Sequence, residues 1–204
     1  MSSIRLILAS ASARRAELLD AAGIDFRQYA VPHEEAMDEL YKEALRDHEP
    51  IEAAKIAITA VAVDKYKTAS QHLKTNDLIL TADTIVFYRG KILGKPKDLE
   101  DARQMLQEIA GQEHQVLSAV CIGRADGYDS LVVESSVIFH PYDHDPEALE
   151  SYLLQGRVLE YAGAYGIQDP DFPLVSGYVG SLTNIIGLPM DETLGLLKDL
   201  ISSG

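Results

Sequence analysis

The sequence predicts an α/β protein built on a mixed sheet, and three observations point there. Short apolar runs such as "IRLILAS" and "DLILTA" have the length and residue types of buried strands. They alternate with segments of helical period that begin at hydroxyl or carboxylate residues and stop at Gly. Two further pairs of strand-like runs are joined by "RG" and "ADG", turn signals that insert antiparallel hairpins into the α/β order.

Each element follows in turn. "IRLILAS" is the first strand, and the small, hydroxyl-rich "SASARR" leads into a helix in "RRAELLDAAG". Leu18, Leu19 and Ala22 share one helical face there, and Gly23 supplies the left-handed stop. "DFRQYAV" alternates as a strand does, and the chain from His33 to about Ala69 reads as helical, broken at "HEP". Pro50 suits the first turn of the second of these helices. "DLILTA" is a buried strand, and "TIVFY", "RG" and "KIL" make a hairpin. Asp98 caps the next helix, with Glu100 and Asp101 at its acid-favouring end. Ala102, Met105, Leu106 and Ile109 form the inner face of that helix, and Gly111 ends it. "HQVLSAVCIGR" and "SLVVESSVIFH" are strands joined by "ADG", and "DPEALESYLLQG" is a capped helix. "AGAYGIQDPDFPLVSGYVGSLTNIIGLP" is irregular with short strands, and "MDETLGLLKDL" closes the chain as a helix.

The bulk composition sets limits. The 204 residues fit one domain of two lobes, and 47% hydrophobic with 25% charged residues is ordinary for a chain with a real core. Eighteen Lys and Arg against 32 Asp and Glu leave a net charge of -14, which argues against nucleic-acid binding. An acidic protein that binds a small polyanion must gather its few cations in one place. No run is long and apolar enough to span a membrane, and "MSSIRLILAS" is too short and wrongly flanked for a signal peptide. The single Cys121 sits in an apolar run, reads as a core residue, and fits a reducing, cytoplasmic setting.

The search for gathered cations leads first to "LASASARRAELL". A strand feeding a helix through small residues presents backbone N–H groups and a positive dipole end to an anion. Ser10 and Ser12 add hydroxyls there, and Arg14 and Arg15 add guanidinium forks. Two cations at a helix N-terminus oppose the dipole, so stability explains them poorly, and they read either as a phosphate site or as surface arginines on a solvated first turn. "GKILGKP" is no P-loop, because Gly90 and Gly94 stand one residue too close and Pro96 follows Lys95. No G-x-G-x-x-G or G-x-S-x-G pattern occurs either. Asp83 directly follows "LILTA", and the C-terminal end of a sheet strand is where α/β proteins place ligands. It reads as a metal ligand, a base or a turn former. Glu34 and Glu35 follow "YAVPH" and read either as a second carboxylate for Mg²⁺ or as an acidic first helical turn. His140 and His144 are four apart, but "HPYDHDP" does not give a helical metal pair.

In this order the pieces resemble the Maf family of nucleoside triphosphate pyrophosphatases. "LILASASARRAELLDAAGIDF" is similar to the family's L-A-S-x-S-P-R-R-x-E-L-L opening, and "VAVDKY" to its L-A-x-x-K-A. "LILTADTIVFYRGKILGKPKDLEDARQMLQEIAGQEHQVLSAV" resembles its A-D-T-x-V, G-K-P and G-x-x-H signature. "YAGAYGIQD" and "VGSLTNIIGLPM" resemble its A-G-x-Y-x-I-Q and G-L-P.

The resemblance implies an elongated, ITPase-like α/β fold with a mixed central sheet, a cleft between two lobes, and a homodimer. It implies hydrolysis of a nucleoside triphosphate to the monophosphate and diphosphate with Mg²⁺ or a similar divalent ion such as Mn²⁺ or Co²⁺. House-cleaning of modified nucleotides is part of that expectation. Matched by position, Asp83 is the proton acceptor, and Ser10, Arg14, Arg15, Lys65 and Lys95 face the phosphates. Glu35 joins Asp83 at the metal, with Glu34 as the alternative. Arg14, Thr84 and Gln168 resemble the set of the subgroup acting on dTTP and UTP. Two other outcomes stay open: a non-catalytic nucleotide-binding regulator of cell division or septum formation, and the same reaction on 7-methyl-GTP or other modified nucleotides. Ala13 replaces the usual Pro, Tyr66 an Ala, Arg157 a frequent Glu, and Tyr161 a frequent Lys.

Overall fold

A computed structural model describes residues 5–30, 36–124 and 126–202. The strands are β1 (Leu6–Leu8), β2 (Phe26–Gln28), β3 (Leu78–Tyr88), β4 (Lys91–Leu93), β5 (Glu113–Arg124), β6 (Gly127–Phe139) and β7 (Val175–Val179). The helices are α1 (Ala13–Ala21), α2 (Met37–Ala44), α3 (Pro50–Leu73), α4 (Leu99–Ile109), α5 (Pro146–Leu154), α6 (Leu182–Ile186) and α7 (Met190–Ser202). The strands bond in the order β2-β1-β3-β5-β6-β7, with β4 on β3. β1 is parallel to β2 and β3, whereas β3–β4 and β6–β7 are antiparallel, so the sheet is mixed, as expected. The chain folds as two compact units, one of Met1–Asp83, Ser118–Val133 and Gly187–Gly204, the other of Thr84–Leu117 and Glu134–Ile186.

In the first unit, side-chain alternation on β3 sorts the core. Leu78, Leu80 and Ala82 point to one face and pack with Leu6, Leu8, Val120 and Ile122, Leu19 of α1, and Leu197 of α7. Thr81 and Asp83 therefore share the opposite face with Ile79. Thr81 is fully buried, and its hydroxyl donates to the carbonyl of Ala62 in α3 at 2.8 Å. α3 meets its surroundings with small residues, Ala53, Ala54, Ala57, Ala62 and Ala69 all being fully buried. Cys121 is also fully buried, and burial pushes its thiol up to about 12, as a core cysteine requires.

In the second unit, Val86 and Tyr88 of β3 pack with Leu106 and Ile109 of α4 and Leu149 and Leu153 of α5. Helix α4 starts where expected, because the Asp98 carboxylate accepts from the N–H of Asp101 at 2.9 Å. Asp145 does the same for Ala148 of α5 at 3.1 Å. His114 is fully buried, edge-on to Phe139 and Tyr165, with Nε2 2.8 Å from the Tyr165 hydroxyl. Burial lowers its pKa to about 4. Between α5 and β7 the chain is irregular, with two 3-10 turns at Arg157–Glu160 and Ala162–Ala164.

The "RG" hairpin forms as the sequence predicts, pairing Val86 with Leu93 and Tyr88 with Lys91. Its turn takes φ of 46° at Arg89 and 82° at Gly90, the left-handed pair that matches strand twist. One expectation is corrected. The strand does not end at Ala82 but runs unbroken through Asp83 to Tyr88. Thr84, Ile85 and Val86 are β-branched and keep the chain extended, which overrides the turn tendency of an aspartate. The "DFRQYAV" strand is real but only three residues long.

Candidate active site

Among the described residues, the first unit holds five of the predicted site residues. Asp83 follows Thr81 by two along β3, and Lys65 follows Ala62 by three along α3. Because Thr81 is bonded to Ala62, the same step up strand and helix brings Lys65 to Asp83. Nζ donates to Oδ1 at 2.9 Å, with side chains only 16% and 13% exposed. Oδ2 of Asp83 accepts no hydrogen bond among the described residues. Removing one partner of such a shielded pair deprives the other charge of this contact, at a cost of about 1–3 kcal/mol.

Parallel pairing sets the second part. Leu8 lies opposite Leu80, and the N–H of Ala9 donates to the Leu80 carbonyl at 2.8 Å. Ser10 and Asp83 thus stand near the same level at the C-terminal end of this parallel pair. Ser12, read from the sequence only as a hydroxyl for an anion, caps α1 by accepting from the N–H of Arg15. Ser10 Oγ accepts from the N–H of Ser12 at 3.2 Å and from Arg15 Nη1 at 3.1 Å. Arg15 Nε donates to the Gly187 carbonyl at 2.9 Å. Arg15 is therefore a brace tying the turn to the segment before α7, as well as a cation at a helix N-terminus. Arg14 is half-buried beside it.

Sequence reasoning missed Gln28. Its amide donates to the carbonyls of Ser10 at 2.9 Å and Ser12 at 3.4 Å, pinning the turn from the neighbouring strand. The signal was the register, since Gln28 lies opposite Leu8 at the end of β2. Tyr66, the departure beside Lys65, is nearly buried, and its hydroxyl donates to the Arg124 carbonyl and, at 3.3 Å, to that of Gly127. Its ring packs on Tyr128 at 5.2 Å, so the change from Ala anchors α3 to the β5–β6 hairpin.

The second unit holds Thr84, Lys95 and Gln168. Thr84 is half-buried on β3, and Lys95 and Gln168 are exposed. Lys95 follows Gly94, whose carbonyl accepts from the N–H of Gly163 at 3.0 Å. Gly163 has φ of +67°, and a Cβ there would stand 2.8 Å from Val86 Cγ2, so only glycine fits between loop and strand. Five residues on, Gln168 sits in a turn closed by the Asp169 N–H on the Gly166 carbonyl at 3.1 Å.

Glu34 and Glu35 lie outside the described residues. Among the described residues no three of His, Cys, Asp and Glu gather as a metal cluster. The rings of His140 and His144 stack on each other at 3.9 Å instead. No described helix is long and apolar enough to cross a membrane.

Comparisons with known proteins agree with the sequence motifs. The chain is 38% identical to a dTTP/UTP pyrophosphatase of Anaeromyxobacter sp. (strain Fw109-5), over 95% of this chain and 88% of that protein. It is 38% identical to a dTTP/UTP pyrophosphatase of Acholeplasma laidlawii over 95% of both chains. A third, from Syntrophomonas wolfei, is 37% identical over 93% of this chain and 94% of its own. The Staphylococcus aureus Ham1 protein matches in structure at a TM-score of 0.35 with 12% identity, covering 67% of this chain and 71% of its own, too weak a likeness to weigh. The profile of the Maf-like proteins matches residues 5–200, and the chain belongs to the Maf-like protein family.

Proposed function

We propose that this protein is a nucleoside triphosphate pyrophosphatase acting on dTTP and UTP, releasing the nucleoside monophosphate and diphosphate. The relatives named for that activity support it at 34–38% identity over nearly the whole chain. The observation that carries it is the shielded Lys65–Asp83 pair, level with the Ser10–Arg15 turn where β1 ends beside the middle of β3.

In this reading Asp83 accepts the proton of the attacking water, and an ionised carboxylate is suited to that at neutral pH. Lys65 holds the carboxylate oriented through Oδ1 and offsets charge on the phosphates. Ser10, Arg14, Arg15 and Lys95 take phosphate oxygens, and Arg14, Thr84 and Gln168 discriminate the base. The donor set also fits a hard divalent cation. Mg²⁺ takes one or two carboxylates beside waters and phosphates, and Asp83 offers it Oδ2, which accepts no hydrogen bond among the described residues, with Glu35 as the second carboxylate. Such an ion supplies charge neutralisation on the leaving diphosphate. A cytoplasmic setting agrees with the lone, buried Cys121, and a homodimer rests on the family resemblance alone.

The test is a panel of dTTP, UTP, 7-methyl-GTP, dCTP and ATP with Mg²⁺, Mn²⁺ or Co²⁺, read by monophosphate and diphosphate release. dTTP and UTP should turn over fastest. Binding without hydrolysis under every cation would overturn the enzyme reading, and preference for 7-methyl-GTP would overturn the base assignment alone.

A further inference from the structure

Asp169 is a buried carboxylate, 8% exposed, that the sequence marked for no role. The Tyr152 hydroxyl donates to its Oδ2 at 2.8 Å, and the Tyr161 hydroxyl donates to Oδ1 at 3.4 Å. Arg157 Nη1 lies 3.7 Å from Oδ1, while Nη2 donates to Asp171 at 3.2 Å. Burying a carboxylate is costly unless it is paired and hydrogen-bonded, and these groups meet that need.

The same carboxylate closes the turn that carries Gln168. The Tyr152 hydroxyl, besides donating to Asp169, accepts from the N–H of Gly166 at 3.1 Å. Gly166 and Asp169 are thus joined twice, once backbone to backbone and once through Tyr152. Gly166 has no spare room, since a Cβ would lie 2.7 Å from Tyr161 Cε2 and 3.0 Å from Asp169 Oδ2. Burial raises the Tyr152 pKa, which keeps its hydroxyl a donor. Gln168 is exposed, one residue from the anchor. Arg157 and Tyr161, two departures from the family pattern, meet on one carboxylate.

We propose that Asp169, held by Tyr152, Tyr161 and Arg157, is a positioning residue that fixes the Gln168 side chain and thereby sets base discrimination. The proposal rests on the reading of Gln168 as a base-discriminating residue. Orientation of an exposed amide is otherwise lost to rotamer freedom, and a twice-closed turn removes the backbone share of it.

The experiment measures kcat and KM on dTTP, UTP and GTP for Gln168→Ala, Asp169→Ala, Asp169→Asn, Tyr152→Phe and the double variant Gln168→Ala with Tyr152→Phe. Tyr152→Phe removes one hydroxyl and keeps the ring packing, so it carries the test should Asp169→Ala not fold. The expected result is a KM for dTTP about tenfold higher in Tyr152→Phe and Asp169→Ala at little-changed kcat, the size of one oriented hydrogen bond. Asp169→Asn, whose amide oxygen still accepts from Tyr152, should retain most of the preference. On the Gln168→Ala background, Tyr152→Phe should add nothing. If Gln168→Ala narrows the preference while folded Tyr152→Phe and Asp169→Ala leave it intact, the positioning role is overturned and the Gln168 reading stands. If the Asp169 and Tyr152 variants narrow the preference and Gln168→Ala does not, the Gln168 reading fails and the proposed route fails with it.

Discussion

The two units hold their site residues in opposite ways. In the first, candidate groups touch each other: Lys65 bonds Asp83, and Arg15 bonds Ser10. In the second, Lys95 and Gln168 are exposed, and what is fixed is the backbone beneath them, through Gly163 on Gly94 and Asp169 on Gly166. In the first unit the groups proposed to handle charge are set by direct pairing, Lys65 and Asp83 in a shielded place. Lys95, proposed to meet phosphate, and Gln168, proposed to read the base, are instead set from behind and left open to solvent. Damage to the first unit should therefore cut turnover, whereas damage to the second should act on stability and preference.

The largest effect expected from breaking this contrast is in Lys65→Ala. It should lower kcat by about a hundredfold, the size of losing one preorganised charge contact. A steady-state assay on dTTP checks it, and the loss should fall on kcat/KM for every triphosphate alike.

Acid should act on the second unit. His114 stays neutral when folded, with its pKa lowered to about 4 by burial, but binds a proton near pH 6.5 when unfolded. The unfolded state then holds more protons between those values, so its stability contribution is full above about pH 6.5 and lost as pH falls towards about 4. The loss reaches about 3 kcal/mol, and urea titrations across that range should show a shallower slope in His114→Gln.

Gly163→Ala forces a Cβ against Val86 at a φ of +67°. A loss of about 1–3 kcal/mol is expected in thermal melting, with kcat on dTTP less affected than stability. The smallest effect belongs to Lys91→Ala. Its pair with Glu108 joins side chains 62% and 35% exposed, so stability should move by about 0.5 kcal/mol or less and activity not at all.

How far the sequence discloses these arrangements depends on how local their causes are. Caps and turns are local, so Asp98 and Asp145 cap their helices and "RG" turns its hairpin as predicted. Cys121 in the core follows from its apolar neighbours. Asp83 was legible as a candidate for the site but misplaced at a strand end, because β-branched residues beyond it kept the strand going. Its bond to Lys65, 18 residues away, depends on how α3 lies along β3, which no local pattern states. Asp169 was invisible for the same reason. Its partners come from α5 at Tyr152 and from the first 3-10 turn and its end at Arg157 and Tyr161, and they meet Asp169 only when the loop folds back.

The central claim is that Asp83, oriented by Lys65, does the chemistry. The direct measurement is diphosphate release from dTTP with Mg²⁺ by Asp83→Asn, alongside a check that fold and dTTP binding persist. The substitution keeps shape and a hydrogen-bonding oxygen but removes the base. Turnover should fall about 10²–10⁴-fold with the fold intact. Turnover at the unmodified protein's level in Asp83→Asn would contradict the account.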